Sequence, residues 1–141
     1  MSVNKVDRRE SKVEFDNTYF KIHDDAVRLI GNGFGLKDES KRWYVNIMSN
    51  AIMKATIELG TYIRIANSIY PIYKLELEER RIAQEKAIGL CFDIMTKYQL
   101  VMTELNIPDT KHTDTIRNII HEINCLKKWR SSDNVRFKDL G

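Results

Sequence analysis

The residues best placed for chemistry lie near the end of the chain, in CLKKWRSSDNVRF, residues 125–137. Lys127, Lys128 and Arg130 surround Trp129, and Arg136 and Lys138 follow. Cations neutralise phosphates and an indole ring stacks on an unpaired base, so this mixture suits a nucleic-acid surface. Residues 125–138 hold five cations and one anion, Asp133, whereas the rest of the chain holds 18 Lys+Arg against 19 Asp+Glu. A concentrated positive field attracts polyanions better than a diffuse one. The competing explanation is a tryptophan that closes the end of a helix bundle among soluble cations. The helix macrodipole favours cations at a C-terminus by roughly 0.3–1 kcal/mol each. That accounts for Lys127 and Lys128, but not for Arg136 and Lys138 beyond Ser131-Ser132-Asp133-Asn134.

A second charged stretch is ELEERRIAQEKA, residues 76–87. Glu76, Glu78 and Glu79 suit the positive end of a helix dipole, and Arg81–Glu85 is an i,i+4 pair. This reads first as a solvated face, with Arg80 and Arg81 as candidate additions to the basic surface. GNGFG, residues 31–35, is rich in glycine, but a helical pattern precedes it and no Lys-Ser or Lys-Thr follows, so it reads as a helix-ending loop.

Catalytic and metal-binding patterns do not emerge. His23-Asp24-Asp25 diverge by 100° per residue on a helix, His112 and His121 are nine residues apart, and His121-Glu122 has no second histidine at metalloprotease spacing. Cys91 and Cys125 are too few and too far apart in sequence for a disulfide scaffold or a zinc ribbon. No serine lies in a nucleophile elbow. The expectation is a protein without catalysis, cofactor or metal, holding reduced thiols in the cytoplasm. MSVNKVDRRESKVEF has no apolar segment of the signal-peptide kind, and no apolar run approaches the roughly 18–20 residues of a membrane span.

Helices must position these residues. With 141 residues, 43% hydrophobic and 30% charged, the chain suits one soluble domain. Residues 1–12 read as a flexible lead-in, 13–130 as the bundle and 131–141 as a basic tail. Phe15, Tyr19, Ile22, Ala26 and Leu29 form the seam of a first helix. A second starts near Asp38, a plausible N-cap, with Tyr44, Met48, Ile52, Ala55, Leu59, Tyr62, Ala66 and Ile69 as its seam, and Pro71 limits it. A third runs from about Leu75 to Leu105. It carries one stripe of Ala87, Cys91, Ile94, Tyr98, Val101 and Leu105, and a second of Ile88, Phe92, Met95 and Met102. Two stripes predict cover from two directions, as in a bundle or in a bundle within an oligomer. After NIPDT, where Asp109 or Thr110 can cap, a fourth helix carries Ile116, Ile119, Ile120, Ile123 and Leu126. Extending that stripe puts Lys127 and Arg130 on the core side, so apolar packing should end near Leu126, leaving Lys127, Lys128, Trp129 and Arg130 outside the core. With no period-2 alternation, the pattern predicts an all-α, up-down-up-down four-helix bundle.

The run ANSIYPIYKLELEERRIAQEKAIGLCFDIM at 66–95 and KKWRSSDN at 127–134 resemble the accessory variability determinant proteins of diversity-generating retroelements, and their relatives encoded in ribosomal RNA intervening sequences. The resemblance covers the second to fourth helices. It implies a bundle assembled into a homo-oligomeric ring, a pentamer in the best-known members, that binds RNA or DNA and a partner reverse transcriptase, with no cofactor and no catalysis of its own. By position it implies Arg80, Arg81, Trp129 and Arg130 as contact residues. The chain departs from the family pattern in its modest net charge of +3 and in GNGFG, where a proline-containing link is expected. The alternative is a protein–protein adaptor that docks through the doubled seam of the third helix or through Trp129.

Overall fold

A computed structural model describes residues 14–140; the expected lead-in over residues 1–12 lies outside them. The described chain is all-helical: α1 (Glu14–Gly31), α2 (Arg42–Ser68), α3 (Lys74–Glu104) and α4 (Thr113–Arg136), with single 3-10 turns at Gly33–Gly35, Glu39–Lys41 and Asp109–Lys111. Each helix packs on its neighbours in sequence and α1 closes on α4, the neighbour pattern of an up-down-up-down bundle. No described helix is long and apolar enough to cross a membrane.

The seam of α1 is buried as its spacing predicts: Phe15, Tyr19, Ile22, Ala26 and Leu29. The helix then ends in a loop of left-handed residues, with φ of 58° at Gly33, 54° at Phe34 and 70° at Gly35. Phe34 tolerates that conformation because its ring is buried, edge-on to Tyr98 at 6.3 Å. Asp38 caps the next element by accepting from the Ser40 backbone N–H at 3.0 Å. On α2 the core takes Val45, Ile52, Ala55, Thr56, Leu59, Gly60, Ile63 and Ala66, so Tyr44, Met48, Tyr62 and Ile69 of the expected seam are only half-buried. α1 and α2 approach so closely at Gly60 that a methyl group there would collide with the Tyr19 hydroxyl end. At the end of α3, Asn106 turns left-handed (φ 53°) and the Ile107 N–H reaches back to the Met102 carbonyl at 2.9 Å.

Three expectations need correction. The second stripe of α3 is incomplete, since Phe92 is exposed while Ile88 and Met102 are buried. The fourth helix does not lose its core at Leu126: its buried face runs through Thr115, Ile119, Glu122, Leu126 and Asp133 to Phe137, and Ile120 is 46% exposed instead. Finally, residues 131–136 are not a tail, because α4 continues to Arg136. The physical reason is common to the last two. The core face of α4 follows the 4-3-4 spacing of an amphipathic helix but carries Glu122 and Asp133, which interrupt its apolar character without turning it outward.

Candidate nucleic-acid interface

The last three turns of α4 divide sharply between an inner and an outer side. Inside, the Asp133 carboxylate is fully buried and accepts from Arg80 at both oxygens, Nε to Oδ2 at 2.7 Å and Nη2 to Oδ1 at 3.0 Å, and from Gln84 Nε2 at 2.7 Å. Arg80 spends its remaining Nη1 on the Ile69 carbonyl at 2.8 Å, at the end of α2. The bidentate fork matches guanidinium to carboxylate geometry and ties α2, α3 and α4 together at one point. Aromatic rings enclose it. The Trp129 ring stacks on Phe15 at 4.2 Å and 11°, with the Arg80 guanidinium 4.9 Å from its centroid and 5.8 Å from that of Phe137. Phe137 in turn meets Tyr70 edge-on at 5.8 Å.

This corrects two of the expected contact residues. Trp129 is packed against the core and is not free to stack on a base. Arg80 is 5% exposed and makes three hydrogen bonds within the protein, so its guanidinium is withdrawn from a phosphate at the surface. Arg81 is half-buried and donates to Asn134 Oδ1. Arg130 is also half-buried. The residue missed in the sequence is Asp133, which looks like the one acid diluting a basic tail. Its signal was its spacing: Leu126, Trp129, Asp133 and Phe137 step by 3, 4 and 4, which keeps all four on one side of a helix.

Outside, Lys127, Lys128, Arg136 and Lys138 are exposed. Lys128, Ser132 and Arg136 form an i, i+4, i+8 row, about 12 Å from end to end at 1.5 Å per residue. The Lys127 ammonium lies 5.8 Å from the Phe92 centroid and the Arg136 guanidinium 4.9 Å from that of Phe137, contacts that keep the charges in solvent. None of these four, nor Arg130, forms an ion pair among the described residues. Because Asp133 is withdrawn and neutralised by Arg80, residues 127–138 present no exposed acid; Asp139 borders them. Between the cations lies an open groove lined by His121, Asn124, Cys125, Ser131, Ser132 and Val135.

One further group on α4 is electrostatically unusual. Glu122 is fully buried and neither carboxylate oxygen has a partner among the described residues. Burial first, then the Asp16 and Glu14 carboxylates, push its carboxyl up to about 9, so it is protonated at neutral pH.

No family model, curated protein or solved structure matches the chain.

Proposed function

We propose that this protein is a non-catalytic nucleic-acid-binding bundle that holds RNA or DNA on the outer side of α4. The observation that carries the reading is the set of cations Lys127, Lys128, Arg136 and Lys138 at and just beyond the end of α4, which form no ion pair among the described residues and have no exposed acid between them in the chain. Such a surface binds backbone phosphate and not base edges, since the neighbouring indole and guanidinium are committed to the fold. The reading includes self-assembly and a partner protein. On α2, Trp43, Ile47, Ile57 and Ile65 are 42–64% exposed along the side facing away from the core, a stripe suited to a homo-oligomer. The resemblance adds a ring of five copies and a reverse transcriptase as the partner enzyme.

The test is binding of the purified chain to a structured RNA across a salt series. Replacing Lys127, Lys128 and Arg136 together by Ala should weaken binding to every sequence. It should also flatten the log–log salt slope by about 2–3, at roughly 0.9 per lost phosphate contact. An unchanged slope removes α4 from the interface.

A second reading, an adaptor without nucleic-acid contact, is favoured by the link between α2 and α3. There Tyr70, Ile72, Tyr73 and Leu75 are 64–68% exposed in six residues, an anchor-rich patch of the kind that docks protein. It predicts no RNA binding at low salt.

A further inference from the structure

A cluster of donor atoms that includes two lining residues of the groove on α4, His121 and Cys125, is used by neither reading. His121 and Cys125 are four residues apart on α4 and therefore share one side of the helix. The first turn of α1 adds Glu14. His121 Nε2 lies 2.8 Å from Glu14 Oε1 and 3.6 Å from Cys125 Sγ, and the three donor atoms are all within 4.8 Å of one another. Donors bound to zinc at about 2.0–2.3 Å sit roughly 3.3–3.7 Å apart around a tetrahedron; the His121–Cys125 separation already fits that range, and a rotation of the exposed Glu14 side chain would bring its oxygen into place.

We propose that Glu14 Oε1, His121 Nε2 and Cys125 Sγ form a binding site for a thiophilic divalent cation of the zinc class, with solvent in the fourth position. The donor chemistry selects the metal. A thiolate and an imidazole disfavour magnesium and calcium, which take oxygen ligands, and favour zinc or its spectroscopic substitute cobalt(II). The charges also match, because one thiolate and one carboxylate offset a dication. Glu14 and His121 are exposed and Cys125 is half-buried, which leaves the ion a path from solvent. On binding, the S–H bond of Cys125 is exchanged for an S–metal bond and the proton leaves to solvent; no electrons are transferred. Burial, Glu122 and Glu14 hold the free thiol protonated, while Lys128 acts in the opposite sense. The bound ion would tie the first turn of α1 to α4, one turn before the cations. This site is independent of the nucleic-acid reading, and either can fail without the other.

The sequence hid this site because only two of its donors are close in the chain; the third is more than a hundred residues away and arrives through the packing of α1 on α4.

The experiment is a cobalt(II) titration of the full chain under reducing conditions, followed by zinc competition. The wild type should develop a thiolate-to-cobalt charge-transfer band that saturates at one ion per chain and is bleached by zinc. Cys125→Ser should lose the band, and His121→Ala and Glu14→Gln should each weaken binding by tenfold or more. Zinc should raise the melting temperature of the wild type and not that of Cys125→Ser, which also shows that the variant is folded. Three results overturn the proposal. One is no band at millimolar cobalt. Another is a band that survives in Cys125→Ser, which would point to Cys91. The last is unchanged affinity in His121→Ala or Glu14→Gln.

Discussion

Arg80 and Lys128 are both cations in charge-rich stretches, and they end in opposite surroundings. Arg80 sits at the start of α3 among five acidic or basic neighbours, yet its guanidinium is buried, forked onto Asp133 and covered by Trp129 and Phe137. Lys128 sits at the end of α4 and reaches solvent with no ion-pair partner among the described residues. Local charge density does not distinguish them. Position relative to the bundle axis does, because a helix end presents the same residues to core and solvent in a fixed 100° rotation. The same helix shows the cost of getting this wrong in the other direction. Asp133 is buried with a full set of donors, whereas Glu122, also buried, has none and responds by staying protonated.

The largest expected effect breaks the inner side. Asp133→Ala leaves the Arg80 guanidinium buried without its counter-ion and should cost about 3–5 kcal/mol in urea unfolding. The paired change Arg80→Met with Asp133→Leu should recover most of that loss, because it removes both charges and keeps the volume. Trp129→Ala comes next. It removes the ring stacked on Phe15 and should cost about 2–4 kcal/mol. A folded fraction of that variant should bind RNA as the wild type does, since the indole faces the core.

Glu122→Gln sharpens the contrast between the two buried acids and has the opposite sign. The folded Glu122 holds its proton up to about pH 9, whereas the unfolded chain releases it near the ordinary value of 4.5. Its contribution is therefore fully present below about pH 4.5 and is lost as pH rises through 9. Glutamine cannot ionise, so the variant should be more stable at pH 7 by on the order of 1–3 kcal/mol, and its stability should fall less between pH 5 and 9. Unfolding curves at a series of pH values check both. The smallest effect on stability belongs to the outer side: Lys128→Ala should change it by less than about 0.5 kcal/mol.

Apolar spacing made the architecture legible. The seam of α1, the stop at GNGFG, the Asp38 cap and the breaks near Pro71 and Asn106 all follow from residue type and period, since they depend on local geometry. The register of α4 was not legible in the same way. Ile119, Ile123 and Leu126 of the expected stripe are buried, but Ile116 and Ile120 pull that stripe to one side of the true one, which contains two acids that a hydrophobicity pattern discards. Asp133 is buried because Arg80 and Gln84 lie opposite it, at positions 53 and 49 residues earlier, and no local pattern encodes that meeting. The burial of Trp129 has the same origin, in Phe15 on another helix.

The central claim is that the end of α4 separates a structural inner side from a phosphate-binding outer side. The most direct test measures the salt slope of RNA binding and the urea midpoint together, for the triple variant Lys127→Ala, Lys128→Ala, Arg136→Ala and for the double variant Arg80→Met, Asp133→Leu. The account predicts that the triple variant keeps its midpoint and loses slope, while the folded double variant keeps the slope of the wild type. A double variant that loses RNA binding while folded, or a triple variant that binds with the full slope, would contradict it.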